Sequence, residues 1–117
     1  LKEGILAIEQ PELHIHPALQ VAMGDLFISQ IQEKALCFLL ETHSEHLMLR
    51  FLRRIRETDE KELPPGKIPL QPEQLAVYFI EQSPEGITAT PIRVSKEGEF
   101  IDKWPHGFFG ERMEELF

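Results

Sequence analysis

The residues best suited to chemistry lie in two short polar strings, each directly behind an apolar run. Glu9-Gln10-Pro11-Glu12 follows Ile5 to Ile8, with His14 and His16 just beyond, and Glu41-Thr42-His43-Ser44 follows Ala35 to Leu40. A carboxylate at the end of a buried strand can bind Mg²⁺, because the strand fixes its position and the metal prefers oxygen ligands. Glu9 is that carboxylate, and Glu12 is a second source of negative charge. Gln10 is a neutral amide, able to orient a water molecule but unable to take its proton. His43 can hydrogen-bond a transferring phosphate if its loop faces the same crevice as Glu9 and Gln10. Simpler readings stand beside these: an ordinary polar strand end for the acids, and a helix-capping role for His43.

Both strings need elements to position them. Ile5 to Ile8 is too short for a helix and reads as a strand buried on both faces. Proline suits a first helical position, so a helix should run from about Pro17 to Lys34, burying Leu19, Met23, Leu26, Phe27 and Ile31, with Gly24 weakening it slightly. Ala35 to Leu40 is a second strand. Strand, loop, helix, strand is the pattern of a βαβ crossover, which makes the two strands parallel and sets both polar strings at one sheet edge. Ser44 caps a second helix ending near Glu57, with Leu47, Met48, Phe51, Leu52 and Ile55 buried.

The remainder reads differently. Thr58 to Pro72 holds Pro64, Pro65, Pro69 and Pro72, four of the chain's nine prolines, together with Gly66 among many charges, which predicts a mobile surface loop. Leu75 to Glu81 and Ile87 to Val94 are strands joined by a turn at Gln82 to Gly86, hence antiparallel. Thr88, Thr90, Ile92 and Val94 share a face, and Pro91 suggests an edge position. Phe100-Ile101 is a further extended piece, and a short helix begins near Gly110. Trp104, Phe108, Phe109 and Phe117 either close the core over a sheet edge or form a docking surface.

Composition narrows the class. The chain has 117 residues, 42% hydrophobic and 27% charged, which fits one globular domain and excludes collagen-like and disordered classes. No run approaches membrane-spanning length. A formal net charge of -8 argues against non-specific nucleic-acid binding through overall charge. The single cysteine, Cys37, cannot form an internal disulfide, which fits a cytoplasmic setting, and it reads as a small buried hydrophobe. Arg50, Arg53, Arg54 and Arg56 form a basic stretch, read as a solvated helix face or as a contact for a phosphate backbone or an acidic neighbour. Glu12, His14, His16, His43 and His46 also offer a combination that suits zinc.

The string from Ile5 to Pro17, GILAIEQPELHIHP with its preceding glycine, resembles the Walker B and D-loop segment of ABC-type ATPases, most closely the OLD (overcoming lysogenization defect) family and related AAA-type ATPases. Glu41-Thr42-His43-Ser44 resembles their switch-histidine loop. Gln74 to Phe117 is similar to a C-terminal domain of unknown function attached to such ATPases in bacteria. The resemblance implies that Glu9 stands at the Mg²⁺-associated carboxylate and His43 at the histidine that senses the γ-phosphate. Gln10 takes the place where many relatives have the catalytic glutamate. Glu12, His14 and His16 fall in the D-loop, which in that family meets the opposite subunit of an ATP-sandwiched dimer. No GxxxxGK[ST] motif occurs, so the phosphate cradle must come from elsewhere.

The expected fold is therefore α/β: a parallel βαβ core, the C-terminal lobe of a P-loop ATPase, followed by an antiparallel hairpin and a short C-terminal helix. Residues 1–57 form the ATPase lobe, 58–73 the Pro-rich loop and 74–117 the hairpin and aromatic tail. With Leu1 rather than Met at its start, the chain reads as the C-terminal part of a longer ATPase. The expected function is a portion of an ATP- and Mg²⁺-dependent ATPase head that binds neither tightly alone. Its expected partners are an N-terminal half carrying the phosphate loop, a second head, and DNA or a nuclease in a defence-related role, with no membrane. A non-catalytic module docking a partner such as a nuclease subunit is the alternative.

Overall fold

The computed structural model describes residues 4–11, 16–34 and 36–105, without the side chains of Pro17 and Lys34. The element order is β1 (Gly4–Glu9), α1 (Pro17–Lys34), β2 (Leu36–Glu41), α2 (Glu45–Asp59), a single 3₁₀ turn at Pro72–Gln74, β3 (Val77–Ser83) and β4 (Gly86–Ile92). The fold is mixed α/β. β1 and β2 pair in parallel, from Gly4 opposite Leu36 to Glu9 opposite Glu41, as the βαβ pattern requires. β3 and β4 form an antiparallel hairpin from Val77 opposite Ile92 to Ser83 opposite Gly86. The short helix expected near Gly110, and Phe108, Phe109 and Phe117, lie outside the described residues.

The core lies between α1, α2 and one face of β1–β2. Phe27, Ile28, Leu47, Phe51, Ile55 and Leu70 are its buried centre, with Ile8, Phe38 and Leu40 packed against it from the sheet. Phe27 and Phe38 meet with ring centroids 4.9 Å apart and planes tilted by 56°. The stripe expected on α1 is partly corrected. Phe27 is buried and Met23 and Ile31 are half-buried, but Leu19 and Leu26 are exposed, and Ile28 takes the central place. The reason is the helix crossing. Gly24 lies buried against Arg50 and Leu47 of α2, where an added Cβ would come within 2.9 Å of the Arg50 side chain, so the face beside Gly24 is the one that α2 covers. Gly24 thus allows close helix approach at the small propensity cost of a helical glycine.

β1 is not buried on both faces. Ile5 is 75% exposed and Leu39, on the same face of β2, is 66% exposed. The helices cover only the side carrying Phe38 and Leu40, and alternation along each strand sends Ile5, Ala7, Cys37 and Leu39 to the other side. Cys37 is accordingly exposed rather than buried.

The basic stretch is corrected too. Arg54 is buried, at 1% exposure, and donates to Asp25 Oδ1 of α1 at 2.6 Å and to the Ile68 carbonyl at 2.9 Å. Glu57 Oε1 lies 3.5 Å from its Nε. A buried guanidinium is tolerable only when paired, and these contacts pair it. They also pin the Pro-rich segment, which is held rather than loose. Leu70 is buried, its N–H donates to Thr58 Oγ1, Gln32 Nε2 donates to the Pro69 carbonyl, and Lys67 reaches Asp25 at 3.3 Å.

Beyond β4 the chain turns back in a small loop. Val94 bridges Phe100, the Ile101 N–H donates to the Arg93 carbonyl, and Arg93 forms a two-pronged pair with Asp102. The turn carries Gly98 at φ 76°, pressed so closely on α2 that an added Cβ would collide with the Leu52 carbonyl. Trp104 packs edge-on against Phe79 and Phe100, with centroids 5.9 and 5.2 Å away, and covers one face of the hairpin.

Asp25→Asn leaves Arg54 buried with a weakened partner, and is expected to cost roughly 3 kcal/mol of unfolding free energy in chemical denaturation. A combined Asp25→Leu and Arg54→Met variant should recover much of that loss. At the exposed Arg93–Asp102 pair, hydrogen bonds from the Arg93 side chain and backbone hold the Asp102 carboxyl down at about 2, from an ordinary 3.8. Because the folded-state value is the lower, its contribution is fully present above pH 3.8 and is lost as pH falls toward about 2. An NMR titration of the Asp102 carboxyl should show this depressed midpoint, and Arg93→Ala should return it toward the ordinary value.

Candidate functional site

Parallel pairing brings the two polar strings to one end of the sheet. Glu9 and Glu41 occupy the same register position, on the same face, and both are exposed. The next residue, Gln10, donates its backbone N–H to the Glu41 carbonyl at 2.6 Å, extending the ladder by one bond beyond β1. Its φ of 48° then puts it in the left-handed region, where a residue with a side chain is uncommon, and the chain turns at Pro11. The turn ends the strand by backbone conformation as well as by polarity. Glu12 and His14 lie outside the described residues, and so does the extended segment expected to carry them.

On the neighbouring strand, His43 is exposed two residues after Glu41. The residues around it are tied down. Thr42 Oγ1 accepts from the Ser44 N–H at 2.9 Å, and Ser44 Oγ accepts from the Leu47 N–H at 3.1 Å, capping α2 as its sequence position suggests. The same hydroxyl donates to Gln20 Oε1 of α1 at 2.6 Å. A buried serine therefore joins the starts of both helices directly behind His43. Serine in front of a helical run was a readable cap, whereas its bond to Gln20 depends on how α1 and α2 cross, which local sequence does not encode. His16 is also a capping residue: its Nδ1 accepts from the Ala18 N–H at 3.1 Å at the start of α1.

Glu41 is the residue that sequence reasoning passed over. Two carboxylates opposite each other at one register position are mutually unfavourable, and a divalent cation coordinated by oxygen would relieve that repulsion. Glu9 with Glu41 is thus a donor set compatible with Mg²⁺. The zinc reading includes Glu12 and His14, which lie outside the described residues; among the described residues no group of three or more His, Cys, Asp or Glu side chains is placed to hold a metal ion of any kind.

A separate apolar cavity of about 390 Å³ lies on the helix-covered side of β2, lined by Phe27, Leu36, Phe38, Phe51, Leu70 and Leu75 among others. Among the described residues, β2 pairs with β1 alone, so its other edge is open. No helix among the described residues is long and apolar enough to cross a membrane.

Residues 70–117 match the model of a family described as a protein of unknown function (DUF3696). No curated protein and no solved structure matches the chain. The matched segment takes in β3, β4 and the Gly98 turn, while Glu9, Gln10 and His43 lie outside it. The similarity of the C-terminal portion to a domain of unknown function thus holds at that level, and it carries no statement about activity.

Proposed function

We propose that this chain supplies the C-terminal half of an ABC-like ATPase head, completed by a half that carries the phosphate loop. The observation that supports this most directly is the register of β1 and β2. With Glu9 opposite Glu41 and Gln10 bonded to the Glu41 carbonyl, the Glu9-Gln10 and Thr42-His43 strings share one sheet end, where parallel sheets receive ligands. On this reading Glu9, with Glu41 beside it, holds Mg²⁺, whose role when bound with ATP is to neutralise charge on the transferring phosphate. The Gln10 amide orients the attacking water, as a glutamine does in GTPases, and leaves its proton to another acceptor. His43 hydrogen-bonds the γ-phosphate, with its loop braced by Thr42 and Ser44. Glu12 and His14 serve the nucleotide of the opposing head in an ATP-bound homodimer. The wider role, DNA-directed or defence-related, rests on the resemblance of the two strings to the OLD family.

An interaction module docking a partner such as a nuclease subunit is the second reading. The exposed apolar side of the β3–β4 hairpin favours it, and the two readings are compatible within one protein.

Calorimetric titration with Mg-ATP, together with turnover assays, should be run on the intact protein that includes the phosphate-loop half. Glu9→Ala is expected to weaken Mg-ATP binding about tenfold, and His43→Ala to lower turnover by roughly a hundredfold. Unchanged binding and turnover in both variants would sink the ATPase reading. Gln10→Glu supplies a base and should raise turnover; no increase would place the proton acceptor elsewhere.

A further inference from the structure

His43 lies in the connection from Thr42 to Ser44 between β2 and α2, and that connection must be placed to a fraction of an ångström for the ring to meet a phosphate oxygen. Some of its bonds are local. The Ser44 N–H donates to Thr42 Oγ1 and the Leu47 N–H to Ser44 Oγ, which shapes the turn and starts α2 but does not fix where the turn lies. Another bond reaches across the fold: Ser44 Oγ donates to Gln20 Oε1 of α1 at 2.6 Å.

Ser44 needs Gln20 for its proton, not for its cap. A hydroxyl has one proton and two lone pairs. Leu47 uses a lone pair, so α2 can start without Gln20, but the proton of this buried hydroxyl must meet an acceptor or be left unsatisfied. Gln20 is that acceptor, and its own backbone is held. Its N–H donates to the His16 carbonyl in the first turn of α1, the helix that follows the Glu9-Gln10 string. Gly24 stands one turn further along the same face, close to Leu47, so the bond lies where the two helices meet.

We propose that Gln20 is a positioning residue for His43: by taking the Ser44 proton it holds the His43 loop at a fixed place on the first turn of α1. The catalytic consequence rests on the ATPase reading, in which His43 meets the γ-phosphate, and Gln20 belongs to neither polar string. Both strings then share one reference. Gln10 ties the end of β1 to the Glu41 carbonyl, and Gln20 ties the helix after β1 to the loop after β2. Without the acceptor, Ser44 turns to find another, and His43, joined to it in the chain, shifts as well. Gln20 acts only through the loop, so its loss falls on turnover rather than on Mg-ATP binding.

Turnover assays on the intact protein that includes the phosphate-loop half, with histidine NMR on the same protein without nucleotide, test this. Gln20→Met keeps the side-chain length and lacks the acceptor; it should lower kcat about tenfold while KM for Mg-ATP stays within about twofold. Gln20→Glu restores an acceptor and should recover most of the loss. In a His43→Ala background Gln20→Met should lower kcat no further, since a residue acting through His43 has nothing left to position. The His43 ring signal, identified by its loss in His43→Ala, should move in Gln20→Met and return in Gln20→Glu. Gln20→Ala, well suited to a helix, replaces the methionine variant if that one does not fold. Full kcat in Gln20→Met overturns the proposal, as does a loss that Gln20→Glu does not recover or a further loss in the His43→Ala background. Full turnover in His43→Ala overturns the ATPase reading instead, and the NMR then decides the positioning alone: a His43 signal unmoved by Gln20→Met overturns it.

Discussion

The bond between Arg54 and Asp25 is the constraint on which the rest of the structure depends. A guanidinium buried on α2 has to find an acceptor, and the 2.6 Å contact with Asp25 fixes how α1 lies across α2. The second prong, to the Ile68 carbonyl, draws the Pro-rich segment over the helices and seats Leu70 in the core. Crossing and core formation are therefore coupled through one side chain. Gly24 makes the crossing close enough to work, and the Ser44–Gln20 bond adds a second tie between the starts of the two helices.

This frame leaves the strands partly uncovered. Parallel sheets are ordinarily enclosed on both faces, yet β1–β2 presents Ile5 and Leu39 on the side away from the helices. The β2 edge, unpaired among the described residues, belongs to a strand that lines an apolar cavity, and the polar end of the sheet carries two carboxylates in register. A sheet of two strands among the described residues, with the loop after β2 already braced, is the arrangement expected of a piece that works against another piece. That arrangement supports the proposed role as half of a head.

Much of the fold could be read locally. The two apolar runs, Pro17 at a helix start and Ser44 at another specified β1, α1, β2 and α2, and the βαβ pattern specified parallel pairing. The misjudged features were those set by long-range contacts. Arg54 reads as a surface residue because nothing nearby in the chain announces Asp25, and the prolines from Pro64 to Pro72 read as loose because their anchors are on both helices. Burial of β1 was overestimated for the opposite reason: an apolar run records what a strand can bury, not what this chain has available to cover it. At the polar end, Glu9 and His43 were legible as residue types behind strands, while the partnership of Glu9 with Glu41 follows only from register.

Gly98 adds a consequence for how this protein can change over time. The turn it occupies sits against the Leu52 carbonyl and against the backbone N and Cβ of Arg56, so the segment after the hairpin is seated partly on the backbone of α2. Outward-facing residues of α2 are then free to diverge without unseating the hairpin, but the glycine is not. A lineage could vary the surface of that helix extensively and still preserve the angle at which the C-terminal sheet is held.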